Sequence, residues 1–417
     1  MSKKILLIIG ILVIVGIVAF LIFSSKPPLA PGESRVGFSI RDYLPFGNSG
    51  NETTSTTTNT STGNDNTGNQ ISTNMEGQPV PRLRKISKEP VAGAVIFNTG
   101  TTSLVRFIEK GTGNVYEARS DSVTIQRLTN TTIPKIIRAF WLPNASGFLA
   151  QTLSPDNEII ETNFVKLNKN VASSTNEILT PFNAIIGKLP TGIKEIAIKP
   201  DSTKIFYYTI FASSNWYISN PDGTSSSLVA SNSLTEWLPK WISPNQIIMQ
   251  NKGSFESIGY SYSFDVSNKT LKKIGLGMIG LSVNPKTDGS WSLASSGGAS
   301  PELFMIDNKN VISKDTTVKG LAEKCVWLKD KNPSVYCAIP NKIPGDNYPD
   351  IWYKGLVSTE DSIWKMDVGN IFGEISNLPL ESGEKIDVVD LSLSPDETHL
   401  IFKNKIDGYL WMLRIDK

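Results

Sequence analysis

The stretch Val388–Asp416, VVDLSLSPDETHLIFKNKIDGYLWMLRID, decides how the chain is read. An apolar run ends in Ser394, Pro395 and Asp396, which open a tight turn. A second run, HLIF, leads to a turn at Asp407 and Gly408, and a third, YLWMLRI, follows. Short apolar runs of this kind, bounded by Pro, Asp and Gly, are signals of half-buried strands. Weaker copies stand upstream as EIAIKPDSTKIFYYTI, PKWISPNQIIMQN, RAFWLPNASGFLAQT, LSVNPKTDGSWSLAS and KCVWLKDKNPSVYCAIP.

The prolines of these copies, Pro143, Pro200, Pro244, Pro285 and Pro395, recur with a period of about 40 residues and some longer insertions, which is the spacing of propeller blades. The expected fold is therefore all-β, a β-propeller of seven blades, with six or eight left open by the uneven spacing. The first blade is read as AVIFN, SLVRFIEK, NVYEARS and SVTIQRLTN, and the second begins at Ile136. The third starts at Ile193 and the fourth at Trp237, with a hairpin turn at Asn268 and Lys269. The fifth covers Ile279 to Ile312, and the sixth Leu321 to about Leu378 with the insertion IPNKIPGDNYPDIWYKGLVSTED. The closing phrase is the seventh. It supplies three strands, and RLRKISKEP, just ahead of the first blade, is placed to add the fourth and so close the ring.

Strand, Ser-Pro-Asp turn, strand, turn and Leu-Trp-Met-Leu strand together resemble the WD40-like repeat of TolB-type β-propellers. Ser394 to Asp396 and Lys199 to Asp201 carry the likeness best, although Glu397 and Ser202 stand where that family has glycine. The likeness covers roughly Arg82 to Lys417 and implies the fold. TolB has an α/β domain ahead of its propeller, where an anchor and a disordered linker are expected here, so the resemblance does not transfer TolB's partners.

Ahead of the repeats, MSKK (1–4) reads as a cytoplasmic stub. Ile5–Phe23 follows, an unbroken apolar run of nineteen residues. As a helix it would span roughly 28 Å, enough to cross the lipid bilayer. Lys3 and Lys4 precede it, so the positive-inside rule keeps the N-terminus cytoplasmic and sends the rest out to the periplasm or cell surface. No A-x-A-like cleavage site follows, which favours an uncleaved signal anchor. Residues 24–81 join a Pro- and Gly-rich juxtamembrane segment to a Ser/Thr/Asn tract with almost no apolar side chains. Such a tract cannot bury enough surface to offset its ordering entropy and is expected to be a disordered linker. Residues 82–417 are the expected propeller domain.

Chemistry-bearing residues are scarce. A net charge of +2 gives no reason to expect nucleic acid as a partner. The chain has one histidine, His399, and two cysteines, Cys325 and Cys337. No nucleophile elbow, metal pattern or cofactor fingerprint appears, so no catalytic residue, metal ligand or cofactor is assigned. Cys325 and Cys337 frame two strands that a tight turn would set opposite one another, making them a candidate disulfide. Asp201, Asp222, Asp265, Asp307, Asp330, Asp367 and Asp396 mostly sit at turns, where Asp bonds its own backbone. In the sixth-blade insertion, Tyr348, Trp352 and Tyr353 form a candidate binding loop, with a loop folded back over the propeller end as the alternative. The expected function is a non-catalytic binding or scaffolding module for an envelope protein or cell-wall polysaccharide. The alternative is a glycan-directed enzyme whose carboxylates converge in the central funnel, a convergence that sequence does not reveal.

Overall fold

The Pro-centred turns of the repeat fold alike. In four blades the N–H of the fourth turn residue donates to the first carbonyl: Ala145 to Leu142, Ser202 to Lys199, Gly289 to Lys286 and Glu397 to Ser394, at 2.8–2.9 Å. That fourth residue is left-handed each time, with φ of 55°, 64°, 70° and 59°. Glycine takes this conformation without strain, which explains the glycine of the resembling family at the places held here by Ser202 and Glu397. The turn aspartates act locally, as Asp201 does in accepting from the Thr203 N–H at 3.0 Å and Asp288 from that of Ser290 at 2.9 Å.

The computed structural model describes residues 79–416 apart from 157–158, 171–179, 299, 308, 310–311 and 368–372. The apolar run Ile5–Phe23 and the linker up to residue 78 lie outside the described residues. Among the described residues no helix is long and apolar enough to cross a membrane.

Seven antiparallel sheets of four strands each form the ring, so the blade number is seven. The innermost strands, in blade order, are Val91–Thr99, Ile136–Trp141, Ile193–Ile198, Leu238–Ser243, Ser282–Pro285, Cys325–Trp327 and Val388–Leu393. First strands pack against one another between blades one and two, three and four, six and seven, and seven and one. The approach is close between the first two blades, where a Cβ on Gly93 would lie 2.2 Å from the Ala139 carbonyl oxygen. The fifth blade runs further than its sequence suggests, because its outer strand is Ile312–Lys319. The sixth contains two short helices, Asp350–Tyr353 and Leu378–Ser382, that the strand pattern did not disclose.

Seven buried clusters, one per blade interface, hold the ring. Between blades three and four, Trp216 meets Trp237 and Phe264 edge-on at 5.5 and 5.3 Å. Such pairs add about 0.5–1.5 kcal/mol beyond their area burial. Trp141 and Trp327 donate to the Gly93 and Asn284 carbonyls of the preceding blades at 3.2 and 2.9 Å. The periodic tryptophans thus stitch blades together.

Blade seven takes its outer strand from the front of the domain. Leu83–Lys85 pairs antiparallel with Leu410–Arg414, Leu83 opposite Leu413 and Lys85 opposite Trp411. Ile86, 2% exposed, then enters the cluster between blades seven and one. In blade six Cys325 lies opposite Cys337, and a disulfide joins them across a Cα separation of 4.0 Å.

One turn carries avoidable strain. Lys269 is exposed and left-handed, with φ of 55°, just after Asn268. Since an L-residue there costs roughly 1 kcal/mol, Lys269→Gly is expected to stabilise the protein by about 0.5–1 kcal/mol in denaturant unfolding. A loss of stability would refute the account of the turn.

Candidate functional site

Antiparallel pairing decides which segments meet at the mouths of the channel. The chain enters each first strand at one end of the ring and returns to that end between the second and third strands. The blade-six insertion, between Pro340 and Asp361, is such a return. It is braced by three other blades. The Phe255 N–H donates to Asp350 at 2.8 Å, the Gly298 N–H to the Tyr348 carbonyl at 2.6 Å, and Lys405 to the Trp352 carbonyl at 2.8 Å. The insertion therefore roofs the mouth over blades four to seven.

A buried ionic cluster fastens this roof. Lys324, 1% exposed, donates from Nζ to Asp361, Asp387 and the Thr359 hydroxyl, each at 2.8 Å. Asp387 also accepts the Trp352 indole N–H at 2.8 Å and the Thr359 N–H at 3.1 Å. Asp361 accepts the Val388 N–H at 2.7 Å. Burial pushes the Asp361 carboxyl above the usual carboxylate range, against the pull of the Lys324 ammonium. The Trp352 ring has Lys324 and Lys405 ammoniums each 4.8 Å from its centre. Insertion, blade six and blade seven are thereby locked in one geometry.

Beneath the roof lies a cavity of about 420 Å³. Lys240 of blade four, Glu323 at the entry to blade six, Tyr353 of the insertion, and Asp390 and Lys405 of blade seven converge on it. Tyr353 donates its hydroxyl to Glu323 at 3.0 Å, and the Lys252 ammonium lies 4.2 Å from the centre of the Tyr353 ring. Lys240 donates to Asn284 Oδ1 at 2.5 Å. Asp390 stands at a bulge, where the pairing register jumps from Val389 to Ser392, and has φ of 55°. Bulges re-aim side chains, and this one turns Asp390 into the channel, where it pairs with Lys403 at 2.7 Å.

Lys240 and Glu323 keep part of their surface open to the channel while protein encloses them on the other sides. That enclosure pushes the Lys240 ammonium down to about 8 and the Glu323 carboxyl up, the latter reinforced by Asp390. Solvent in contact with their open sides tempers both shifts. Groups perturbed in this way inside a cleft are candidates for function.

Of the three aromatics expected in a binding loop, Trp352 and Tyr353 line the cavity and Tyr348 does not. Tyr348 is 0% and Trp352 4% exposed, packed with Leu321 as the underside of the roof. Tyr353, only partly buried, presents the more open ring of the two to the cavity. The aromatic-rich insertion thus caps the propeller, and the reason is the indole–Asp387 bond, which draws Trp352 inward. Cys325 lies in the cavity wall. Sequence reading missed Lys240, Glu323, Asp390 and Lys405. The signal was faint: Lys240 and Asp390 are charges inside otherwise apolar first strands.

His399 is remote from the cavity in contacts, 9% exposed at the start of the second strand of blade seven. Its Nδ1 shares a 2.8 Å hydrogen bond with the Thr398 hydroxyl. Burial pushes its pKa down to about 4, against the attraction of Asp396. A base with a depressed folded pKa disfavours its own protonation. Its contribution to stability is therefore complete above about pH 6.5 and is lost as pH falls toward 4. His399→Gln is expected to flatten the decline of unfolding free energy between pH 7 and 5. Parallel curves for the two proteins would exclude this role.

Ring and roofed axial cavity define the chain as a seven-bladed β-propeller. No known family's sequence profile matches it, and neither does any curated protein. Among solved structures, an oligogalacturonate lyase in complex with manganese is similar over 80% of this chain and 93% of its own, with a TM-score of 0.53 and 10% identity. The oligogalacturonate lyase of Vibrio parahaemolyticus gives a TM-score of 0.54 at 10% identity, covering 80% and 94%. TolB from Acinetobacter baumannii gives 0.41 at 12% identity, covering 68% and 62%. At these identities the likeness is one of fold.

Proposed function

We propose that the protein is a membrane-tethered, extracytoplasmic propeller that binds a segment of an envelope polysaccharide at its roofed channel mouth, without turning it over. The observation that carries this reading is the convergence of Lys240, Glu323, Tyr353, Asp390 and Lys405 on one cavity of about 420 Å³. An aromatic face beside several fixed donors and acceptors suits a hydroxylated ring, whose faces stack and whose edges hydrogen-bond. The apolar run Ile5–Phe23, preceded by Lys3 and Lys4, supports the tether and the outward orientation.

One observation favours chemistry as a second reading. A carboxyl pushed up, Glu323, stands near an acidic partner, Asp390, and a lysine lowered to about 8 faces the same space. Titratable groups pushed apart by their surroundings are how acid and base roles are divided. The acidic convergence at the funnel that would mark a glycan-directed enzyme is thus present in part. The solved oligogalacturonate lyases lend this reading a precedent on the same fold.

The test uses the full chain in mild detergent, mixed with isolated envelope polysaccharide and sedimented. Saturable binding is expected, weakened about tenfold by Tyr353→Ala and by Lys240→Met, the loss of roughly one good contact each. Equal sedimentation of wild type and variants would overturn the cavity assignment. Release of soluble fragments on long incubation would move the conclusion to the enzyme, and no binding at all would direct the search to a protein partner.

A further inference from the structure

The roofed cavity adjoins others. A second cavity, of about 350 Å³, is walled by Pro285 and Trp327, which end first strands, and by Asp288 and Lys329 in the turns that follow, and so lies toward the opposite mouth. Both cavities are lined by the same four residues, Lys240, Asn284, Cys325 and Leu391, one from each of blades four to seven. These four form a shared boundary, the collar, with one cavity on either side. A third space, of about 550 Å³ toward blades one to three, meets the roofed cavity at Asp390 and Leu391.

The bulge in blade seven explains why the axis is shaped here. Alternation would send successive side chains to opposite faces of the strand. The register jump after Val389 lets Asp390 and Leu391 both line the axial space. Each chamber, moreover, has aromatic lining: Tyr353, beside the buried Trp352, on the roofed side and the partly buried Trp327 on the other. Lys240, in the collar between them, donates to Asn284 and has no carboxylate partner among the described residues.

A compact ligand would be complete in one chamber. Two adjoining chambers with aromatic lining, meeting at a boundary that includes Lys240 and Asn284, repeat a recognition pattern. Resting on the glycan reading above, we infer that the channel takes a linear polysaccharide lengthwise, so that units on both sides of the Lys240–Leu391 collar are held at once. Tyr353 and Trp327 are the two stacking surfaces, and Lys240 meets the hydroxyl or acidic groups of the unit that crosses the collar.

The test measures affinity against chain length with the full chain in mild detergent. The probes are chito-oligosaccharides of two and six units and oligogalacturonates of two and six units. For whichever series binds, the six-unit chain is expected to bind about tenfold or more tighter than the two-unit one, because a second chamber adds its own contacts. Trp327→Ala and Leu391→Trp should each bring the six-unit affinity down to the two-unit level. Trp327→Ala, outside the roofed cavity, should leave two-unit binding in place, and circular dichroism shows that both variants are folded. Equal affinity for two and six units, or a six-unit advantage that survives both substitutions, would overturn the inference while leaving the roofed cavity as a binding site. Failure of both series to bind would overturn the glycan reading and this inference together.

Discussion

Replacing Lys324 with alanine is expected to destabilise the protein by about 3–5 kcal/mol, the cost of removing one partner from a buried ion pair. The size follows from what remains. Asp361 and Asp387 are both fully buried, and without the ammonium they would face each other as carboxylates in a medium that solvates neither. Asp387 would still hold the Trp352 indole and the Thr359 backbone, so the damage concentrates at the join between roof and blades. Protonation offers partial relief, because burial already pushes Asp361 toward its neutral form. For an acid with a raised folded pKa, the proton-linked gain is fullest at low pH and is lost as pH rises through the folded pKa. The Lys324→Ala variant should therefore recover part of its loss in mildly acidic buffer. Denaturant unfolding of both proteins at pH 7 and 5 checks this. A loss below about 1 kcal/mol at pH 7, the range of exposed ion pairs, would show that the cluster is not sealed from water.

Removal of Arg82–Lys88 is expected to lower the melting temperature by about 5–10 °C, given a few degrees or less per kcal/mol in a domain of this size. The excised segment does more than supply three backbone pairings. Ile86 fills the cluster between blades seven and one, and burying such a side chain is worth about 1.5–3 kcal/mol. The Ser87 hydroxyl accepts the Leu410 N–H at 2.9 Å, a buried group that the deletion would strand. Arg82 pairs with Glu381 and Asp416 at 2.9 and 2.8 Å, but these partly exposed contacts add little. Arg82→Ala alone should accordingly leave the melting temperature nearly unchanged. If calorimetry finds the deletion as mild as that single substitution, the ring is held shut by its other six interfaces.

The ring and its closure were legible because they rest on local signals repeated many times. Pro200–Asp201 and Pro395–Asp396 announce turns whose hydrogen bonds are internal to a few residues. RLRKISKEP stands just ahead of the first blade, where a strand was missing. The cavity was not legible, because its residues converge from blades far apart in sequence and no local pattern marks them. Lys324 illustrates the difficulty. In EKCVW it reads as an ordinary charge ahead of a strand, and only the return of Asp361 and Asp387 to the same place turns it into a buried clamp. Tyr348, Trp352 and Tyr353 show the converse. Aromatics in an insertion mark something that packs, and whether they pack inward or outward depends on a partner such as Asp387 more than thirty residues away.

The strand that completes blade seven is also the first strand of the domain, so the chain ahead of residue 79 leads directly into it. Any tension transmitted along that leading chain acts first on Leu83–Lys85. A pull along the strand axis loads its ladder with Leu410–Arg414 in shear, so that the bonds share the force, whereas a pull across it would unzip them one at a time. If the propeller grips a polymer and the leading chain is held at its other end, the ring becomes a link in a mechanical series. Its breaking strength is then set by the direction of the pull as well as by thermodynamic stability.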